Sequence, residues 1–114
     1  MEDCLFCKII KMEVRSDVIL EGGSFLAFKD IHPKADVHIL IIPKKHIASV
    51  NDTTTADVAI LGEMFLAAKE VAEKLGVSVG YKLQVNVGKD GGQEIEHIHM
   101  HLLSGEMRKE VSSI

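Results

Sequence analysis

Histidine and apolar residues alternate along one segment of this chain, His97-Ile98-His99-Met100-His101-Leu102-Leu103. Successive side chains of a β-strand point to opposite faces of the sheet, so a strand here places all three imidazoles on one face and the apolar residues in a core. An amphipathic strand with three surface histidines is the alternative. Because imidazoles attack, donate and accept protons near neutral pH, we interpret the row as functional.

The composition predicts one globular domain over residues 1–114. With 46% hydrophobic residues, the chain can bury a substantial core. The net charge is −4, and the Lys and Arg residues do not cluster along the sequence, which argues against nucleic acid as a partner. There is no run of 18 apolar residues and no basic N-terminal region. We therefore expect no membrane span, no secretion signal and a cytoplasmic location.

Turn and capping residues divide the chain into helices and strands. A short helix is predicted over residues 5–10 with Asp3 as its N-cap, and a long helix is predicted between Thr55 and Gly76. The predicted strands are 18–21 and 24–28, joined as a hairpin by Gly22-Gly23, then 38–42, which Pro43 ends, 80–86 and 95–103. This order predicts an α+β fold on a mainly antiparallel five-stranded sheet, with one long and one short helix.

The long helix carries two adjoining apolar rows. The first row is Val58, Leu61, Phe65, Ala68, Ala72 and Leu75, and the second is Ile60, Met64, Ala67 and Val71. Together they span roughly 160°, which is wider than one sheet face needs. We expect the second row to contact a partner subunit, and a helix buried deep in a monomer core is the alternative.

The histidine segment resembles the signature of the histidine triad superfamily. Two other segments resemble the same superfamily, namely Phe28-Lys29-Asp30-Ile31-His32-Pro33 and Pro43-Lys44-Lys45-His46-Ile47. Asn86 together with Gly91-Gly92-Gln93 is similar to the Hint branch of this superfamily, the nucleoside phosphoramidases. The resemblance covers about residues 4–105. It implies a HIT-like fold whose sheet extends across a homodimer. It also implies hydrolysis of purine nucleoside 5′-phosphoramidates at the P–N bond.

The resemblance implies a role for each histidine of the row. His99 would attack the α-phosphate and form a covalent nucleotidyl-histidine, since a neutral imidazole can attack without losing a proton first. His101 would donate a hydrogen bond to a non-bridging phosphate oxygen. His97, the third catalytic candidate, would act mainly by ordering the strand beside His99.

The resemblance also implies a set of nucleotide-binding residues. Asp30 would accept both ribose hydroxyls, which suits a carboxylate facing a vicinal diol. The base would lie against Leu5, Phe6, Ile9, Phe28 and Ile31, and the phosphate would contact Asn86 and the segment Gly92, Gln93, Glu94 and Ile95. Glu94 departs from relatives that carry a small hydroxyl residue there, and we expect it to face solvent or the leaving amine.

Cys4, Cys7, His46 and His97 match a structural zinc site of some microbial relatives. Two thiolates and two imidazoles make a closed tetrahedral site, which suits structure rather than catalysis. From the Cys-x-x-Cys spacing alone, a redox motif and plain reduced thiols stay open. The resemblance implies no organic cofactor.

Two other functions compete with phosphoramidate hydrolysis. A dinucleoside polyphosphate hydrolase would belong to the same superfamily and use the same histidines. A nucleotide-binding or zinc-stabilised interaction module would bind without relevant turnover. A substrate panel separates the first from our prediction, and a search for a labile phosphohistidine separates the second.

Overall fold

The computed structural model describes residues 3–107 and has the predicted α+β architecture. Its elements are α1 (Leu5–Ile10), β1 (Val18–Glu21), β2 (Phe25–Lys29), β3 (Ala35–Pro43), α2 (Val58–Lys74), β4 (Lys82–Val85) and β5 (Met100–Met107). The strands form one antiparallel sheet in the order β1-β2-β3-β5-β4. Within residues 3–107, no helix is long and apolar enough to cross a membrane. Residues 108–114, most of the tail after Gly105, lie outside the described part.

The two helices cover opposite faces of the sheet. The core between α2 and the sheet includes Ile39, Ile41, Met64, Ala68, Val71, Ile98, Met100 and Leu102. The smaller core under α1 consists of Phe6, Ile9, Leu26, Phe28, Leu40 and Ile42. The predicted alternation is therefore confirmed, because the apolar partners of the histidines lie under α2. The rings of His97 and His99 instead meet Phe6 of α1, at centroid distances of 5.9 and 5.1 Å.

The predicted partner-facing row of α2 lies in the core of the monomer. Met64, Ala67 and Val71 pack against the sheet and are at most 2% exposed, and Ile60 is half-buried. The prediction that this row meets a partner was wrong, because the chain's own sheet covers it. The large apolar residues that α2 leaves exposed are Val58, Phe65 and Leu66.

Both helices begin differently from the prediction. The N-cap of α1 is Cys4, whose Sγ accepts from the Cys7 N–H at 3.3 Å, and not Asp3. Two 3-10 turns, Val50–Asp52 and Thr55–Asp57, precede α2, each closed by a capping box. The boxes pair Ser49 with Asp52 and Thr54 with Asp57, so α2 begins at Val58, three residues after Thr55. Gly76 follows α2 at φ +74°, as a C′ glycine should.

The last strand begins later than predicted. β5 starts at Met100 rather than at Ile95, because residues 95–99 bond elsewhere. The His97 N–H donates to the Ile95 carbonyl, and the Ile98 N–H donates to the Ile47 carbonyl at 2.8 Å. β1 has its predicted bounds, and the ends of β2, β3 and β4 differ from theirs by one to three residues. The segment before β5 thus connects the sheet to the loop after β3.

Candidate active site and adjoining metal-ligand cluster

A cleft of about 670 Å³ opens on the α1 face of the sheet. Its apolar end is formed by Leu5, Phe6, Ile9, Val14, Phe28 and Ile31. Its polar end is formed by Asp30, His38, Gln84, Asn86, Gly92, Glu94, His99 and His101. The fold therefore brings nearly all predicted substrate residues together, including Ile95. Two predicted residues do not line the cleft, namely His97 and Gln93.

The backbone fixes the tautomer of His99. Its Nδ1–H donates to the His97 carbonyl at 2.8 Å, so in the neutral ring the lone pair is on Nε2. Burial lowers the pKa of His99, and hydrogen bonding to the His97 carbonyl together with the Asp30 and Glu94 carboxylates opposes this only in part. His99 thus presents a neutral imidazole with a free nitrogen to the cleft.

His101 is oriented by His38, a residue that the sequence analysis did not place in the site. The Lys34 backbone N–H donates to His38 Nδ1 at 3.0 Å, so the neutral His38 ring carries its proton on Nε2. That nitrogen lies 2.9 Å from His101 Nδ1 and donates to it. The proton of His101 is therefore on Nε2, where it can be donated to a ligand.

Burial keeps this pair of rings neutral. Desolvation lowers the pKa of His38, although the Asp30 carboxylate, 3.4 Å from His38 Nε2, raises it. Burial also lowers the pKa of His101 to about 4, with His99 and His38 adding to the effect. The rings of His99 and His101 are 5.0 Å apart, close enough to contact one phosphate group from two sides.

Asp30, His38 and His101 could in principle hold a metal ion, because one ligand atom of each lies within 4.8 Å of the others. The hydrogen bonds argue against it. A metal on His38 Nε2 would force the proton onto Nδ1, where it would face the Lys34 N–H. Asp30 also accepts from the His32 N–H at 2.8 Å, which holds its carboxylate at the turn after β2.

A glycine-rich loop borders the polar end of the cleft. Asn86 Nδ2 donates to the Gly91 carbonyl at 2.7 Å, and its Oδ1 accepts from Gln84 Nε2 at 3.2 Å. Gly92 has φ +84°, and a Cβ there would lie 3.3 Å from Asn86 Nδ2, so this position favours glycine. The loop is thus held close against the asparagine side chain.

Gln93 braces this loop with both ends of its amide. Its Nε2 donates to the carbonyls of Ala48 and Ile95, at 2.7 and 2.9 Å, and its Oε1 accepts from the Gly88 N–H. These bonds position the loop backbone and turn the side chain away from the cleft. Glu94 is exposed at the cleft margin, as expected.

The predicted zinc ligands form a compact cluster beside the cleft. Cys7 Sγ lies 3.2 Å from His46 Nδ1 and 3.6 Å from His97 Nδ1, and Cys4 Sγ lies 3.4 Å from His97 Nδ1. All four ligand atoms lie within 4.8 Å of one another. They come from α1, from the loop after β3 and from the segment before β5, which are far apart in sequence.

These four residues fit a zinc ion. With zinc–ligand distances of about 2.0–2.3 Å, neighbouring ligand atoms of a tetrahedral site lie about 3.3–3.8 Å apart. His97 Nε2–H donates to the Pro43 carbonyl at 2.8 Å, which leaves the Nδ1 lone pair facing both thiols. Burial raises the pKa of Cys7, so a bound cation would be needed to hold that sulfur as thiolate.

A family model described as scavenger mRNA decapping enzyme C-term binding matches residues 3–113. A purine nucleoside phosphoramidase of Escherichia coli is 45% identical over 105 residues, which are 91% of this chain and 88% of that protein. An uncharacterized HIT-like protein of Synechococcus elongatus is 43% identical over 91% of each chain.

A solved structure has the same fold. The HIT family hydrolase from Legionella pneumophila superimposes with a TM-score of 0.89 at 48% identity, over 92% of this chain and 95% of that one. The similarity therefore includes both the sheet and the segments that form the cleft.

Proposed function

This chain belongs to the histidine triad superfamily, and we propose that it hydrolyses purine nucleoside 5′-phosphoramidates through a covalent intermediate on His99. The observation that carries this proposal is the hydrogen bond from His99 Nδ1–H to the His97 carbonyl. It leaves Nε2 of a buried, neutral imidazole free inside a cleft of nucleotide size. The phosphoramidase activity of the Escherichia coli relative supports the same reaction.

The reaction has two steps on one histidine. His99 Nε2 attacks the α-phosphorus and forms a P–N bond to the ring, while the bond to the leaving nitrogen breaks and that nitrogen takes up a proton. Water then attacks the phosphorus, releases the nucleoside monophosphate and restores the free ring. In both steps His101 Nε2–H donates to a non-bridging oxygen, where negative charge develops.

His38 is a positioning residue in this proposal. It does not need to touch the phosphate, because its Nε2–H fixes the tautomer of His101 from behind. Asp30 would take the ribose diol between the apolar and polar ends of the cleft. Phe6, Ile9 and Phe28 would contact the base, as the resemblance implied.

We expect adenosine 5′-phosphoramidate to be hydrolysed with a kcat/KM roughly a hundredfold above that of diadenosine polyphosphates. The reason is that the cleft has one apolar end and one ribose-facing aspartate, which accommodate a single nucleoside. Both substrates should be offered side by side to the purified chain. Faster turnover of the dinucleotides would assign the polyphosphate hydrolase instead. Tight nucleotide binding without turnover of either would assign a binding module.

We further propose that Cys4, Cys7, His46 and His97 hold a structural zinc ion. When bound, it would link α1 to the segment before β5 and take no part in the reaction. Zinc binding by this set needs both cysteines reduced, which is in keeping with the proposed cytoplasmic location.

We also propose that the chain forms a homodimer through α2. The support is the exposed row of Val58, Phe65 and Leu66, spaced seven and eight residues apart on one helix face. β1 and β4 are the edge strands of the sheet, so the predicted extension of the sheet across the dimer would continue from one of them.

Replacing Phe65 and Leu66 together by glutamate should convert a dimer into a folded monomer at micromolar concentration. Both side chains are more than half exposed, at 57% and 67%, so the monomer core does not need them. Sedimentation velocity measures the change. Met12→Glu is the matched control, because it removes an exposed apolar residue next to α1 and should leave the dimer intact. A wild-type protein that sediments as a monomer would refute this proposal.

A further inference from the structure

Arg15 lies at the mouth of the cleft and has no partner within residues 3–107. It lines the cleft beside Val14 and Ile31. No hydrogen bond or ion pair joins its guanidinium to any described residue, even though Glu13 and Asp17 are close in sequence. No residue of the described part therefore uses the five donors of this planar cation, which stands at the apolar end of the site.

The backbone fixes the position of Arg15 from two sides. The Glu13 and Val14 N–H groups both donate to the Lys8 carbonyl at the end of α1. The Lys29 N–H donates to the Asp17 carbonyl at 3.0 Å and continues the β1–β2 ladder past Val18.

This hydrogen bond places the segment before β1 alongside the end of β2, and Arg15 and Ile31, which follow on either side, both line the cleft. Ile31 is 79% exposed and forms the outer part of the apolar wall. A base that lies against this wall would present its far edge to the arginine.

We propose that Arg15 binds the Hoogsteen edge of the purine and makes this cleft prefer guanine to adenine. Guanine offers two acceptors, O6 and N7, which match two guanidinium donors side by side. Adenine offers N7 with an N6 amino donor, so one donor of Arg15 would face another donor. This inference rests on the proposed function, since it needs a purine nucleotide in the cleft.

Binding of four nucleoside monophosphates to the full chain tests the proposal. We expect GMP and IMP, which both have O6 and N7, to bind about fivefold tighter than AMP. This corresponds to the lower end of the discrimination given by a bidentate arginine, as suits an exposed pair. 7-Deaza-GMP, which lacks N7, should lose most of that advantage. The Arg15→Ala variant should bind GMP and AMP with equal affinity. The Arg15→Lys variant should bind GMP and 7-deaza-GMP with equal affinity, because one ammonium group does not span both acceptors.

Lys29→Ala is the charge-matched control. Lys29 also lines the cleft but forms an ion pair with Asp17 at 3.5 Å. Its removal should therefore lower the affinity for all four nucleotides by the same factor. Equal affinity of the wild type for GMP and AMP would overturn the proposal. If Arg15→Ala lowered the affinity for GMP and for AMP by the same factor, the proposal would also be overturned, because Arg15 would then stack on the base without hydrogen bonding to its Hoogsteen edge. Either result leaves phosphoramidate turnover standing, whereas binding of none of the four would contradict the proposed function as well.

Discussion

Replacing His99 by alanine is expected to abolish the covalent intermediate and to lower kcat/KM by more than about 10⁴-fold. Among the buried or partly buried histidines of the cleft, only His99 turns a ring nitrogen with a free lone pair toward the cleft, and His32, which also lines it, is exposed. His38 uses both of its ring nitrogens, and His101 Nδ1 is occupied by His38. The variant should still bind nucleotide, because Asp30 and the apolar end of the cleft are unchanged.

His101→Ala is the informative comparison. It removes a donor but leaves the nucleophile, so the intermediate should still form, only more slowly. The usual loss for one such donor is about 2.7–4 kcal/mol of transition-state stabilisation, or roughly 10²–10³-fold in rate. Nucleotide affinity should change much less than kcat, because the hydrogen bond strengthens as charge develops on the phosphate.

Rapid quenching of the reaction with a labelled phosphoramidate provides the measurement. The adduct should be acid-labile and base-stable, and peptide mass should place it on His99 in the wild type and in His101→Ala. A label on His97 or His101 would contradict the assignment, as would full activity in His99→Ala. Near-ultraviolet circular dichroism of each variant checks that the fold is retained.

The sequence predicted the faces of the sheet better than the ends of its elements. The alternation of His99, Met100, His101 and Leu102 predicts which side chains share a face of the sheet without any information on the rest of the fold. The structure has the predicted faces. The start of β5 depends instead on the hydrogen bond from the Ile98 N–H to the carbonyl of Ile47, which lies 51 residues earlier in the sequence. Local patterns carry no information on such pairings.

The helix rows were misassigned for a similar reason. Periodicity shows that α2 has a wide apolar arc, but which part meets the sheet depends on how the helix is rotated in the fold. That rotation follows from the packing of α2 on the sheet, which the periodicity of the helix does not predict. Met64 and Val71 therefore lie in the core, and Phe65 and Leu66 are exposed.

The site was predicted in its chemistry and incomplete in its support. The histidine row and the Cys-x-x-Cys spacing pointed to the residues that line the cleft and the adjoining cluster, to which we assign the reaction and the metal. His38 had a weaker signal, as a histidine at the start of an otherwise apolar central strand. A buried imidazole needs partners, and that requirement could have placed it beside another polar group. One of its actual partners, the Lys34 N–H, is four residues away in sequence, but the other, His101, follows only from the pairing of β3 with β5.

Removal of the two thiols should cost more stability than any surface change in the chain. Zinc is expected at one equivalent per chain in protein purified without chelators. At free metal about a thousandfold above Kd, its binding stabilises the fold by about 4 kcal/mol. At about 4 °C per kcal/mol, the Tm of Cys4→Ala with Cys7→Ala should fall by roughly 15 °C. Catalysis in the folded fraction should fall less, because neither sulfur lines the cleft.

Cys4 also caps α1, and this second role has to be separated from metal binding. Cys4→Ser keeps an oxygen acceptor for the Cys7 N–H but is a poor zinc ligand, so it should lose most of the same stability. His32→Ala removes an imidazole outside the cluster and should keep a full equivalent of metal. A chelator should lower the Tm of the wild type to about that of Cys4→Ser, which keeps a cap, and should leave the Tm of Cys4→Ser and of the double variant unchanged. Less than a tenth of an equivalent of zinc, with a wild-type Tm that does not respond to chelator, would show that Cys4 and Cys7 act only as reduced thiols and that α1 is held by its cap and its apolar contacts.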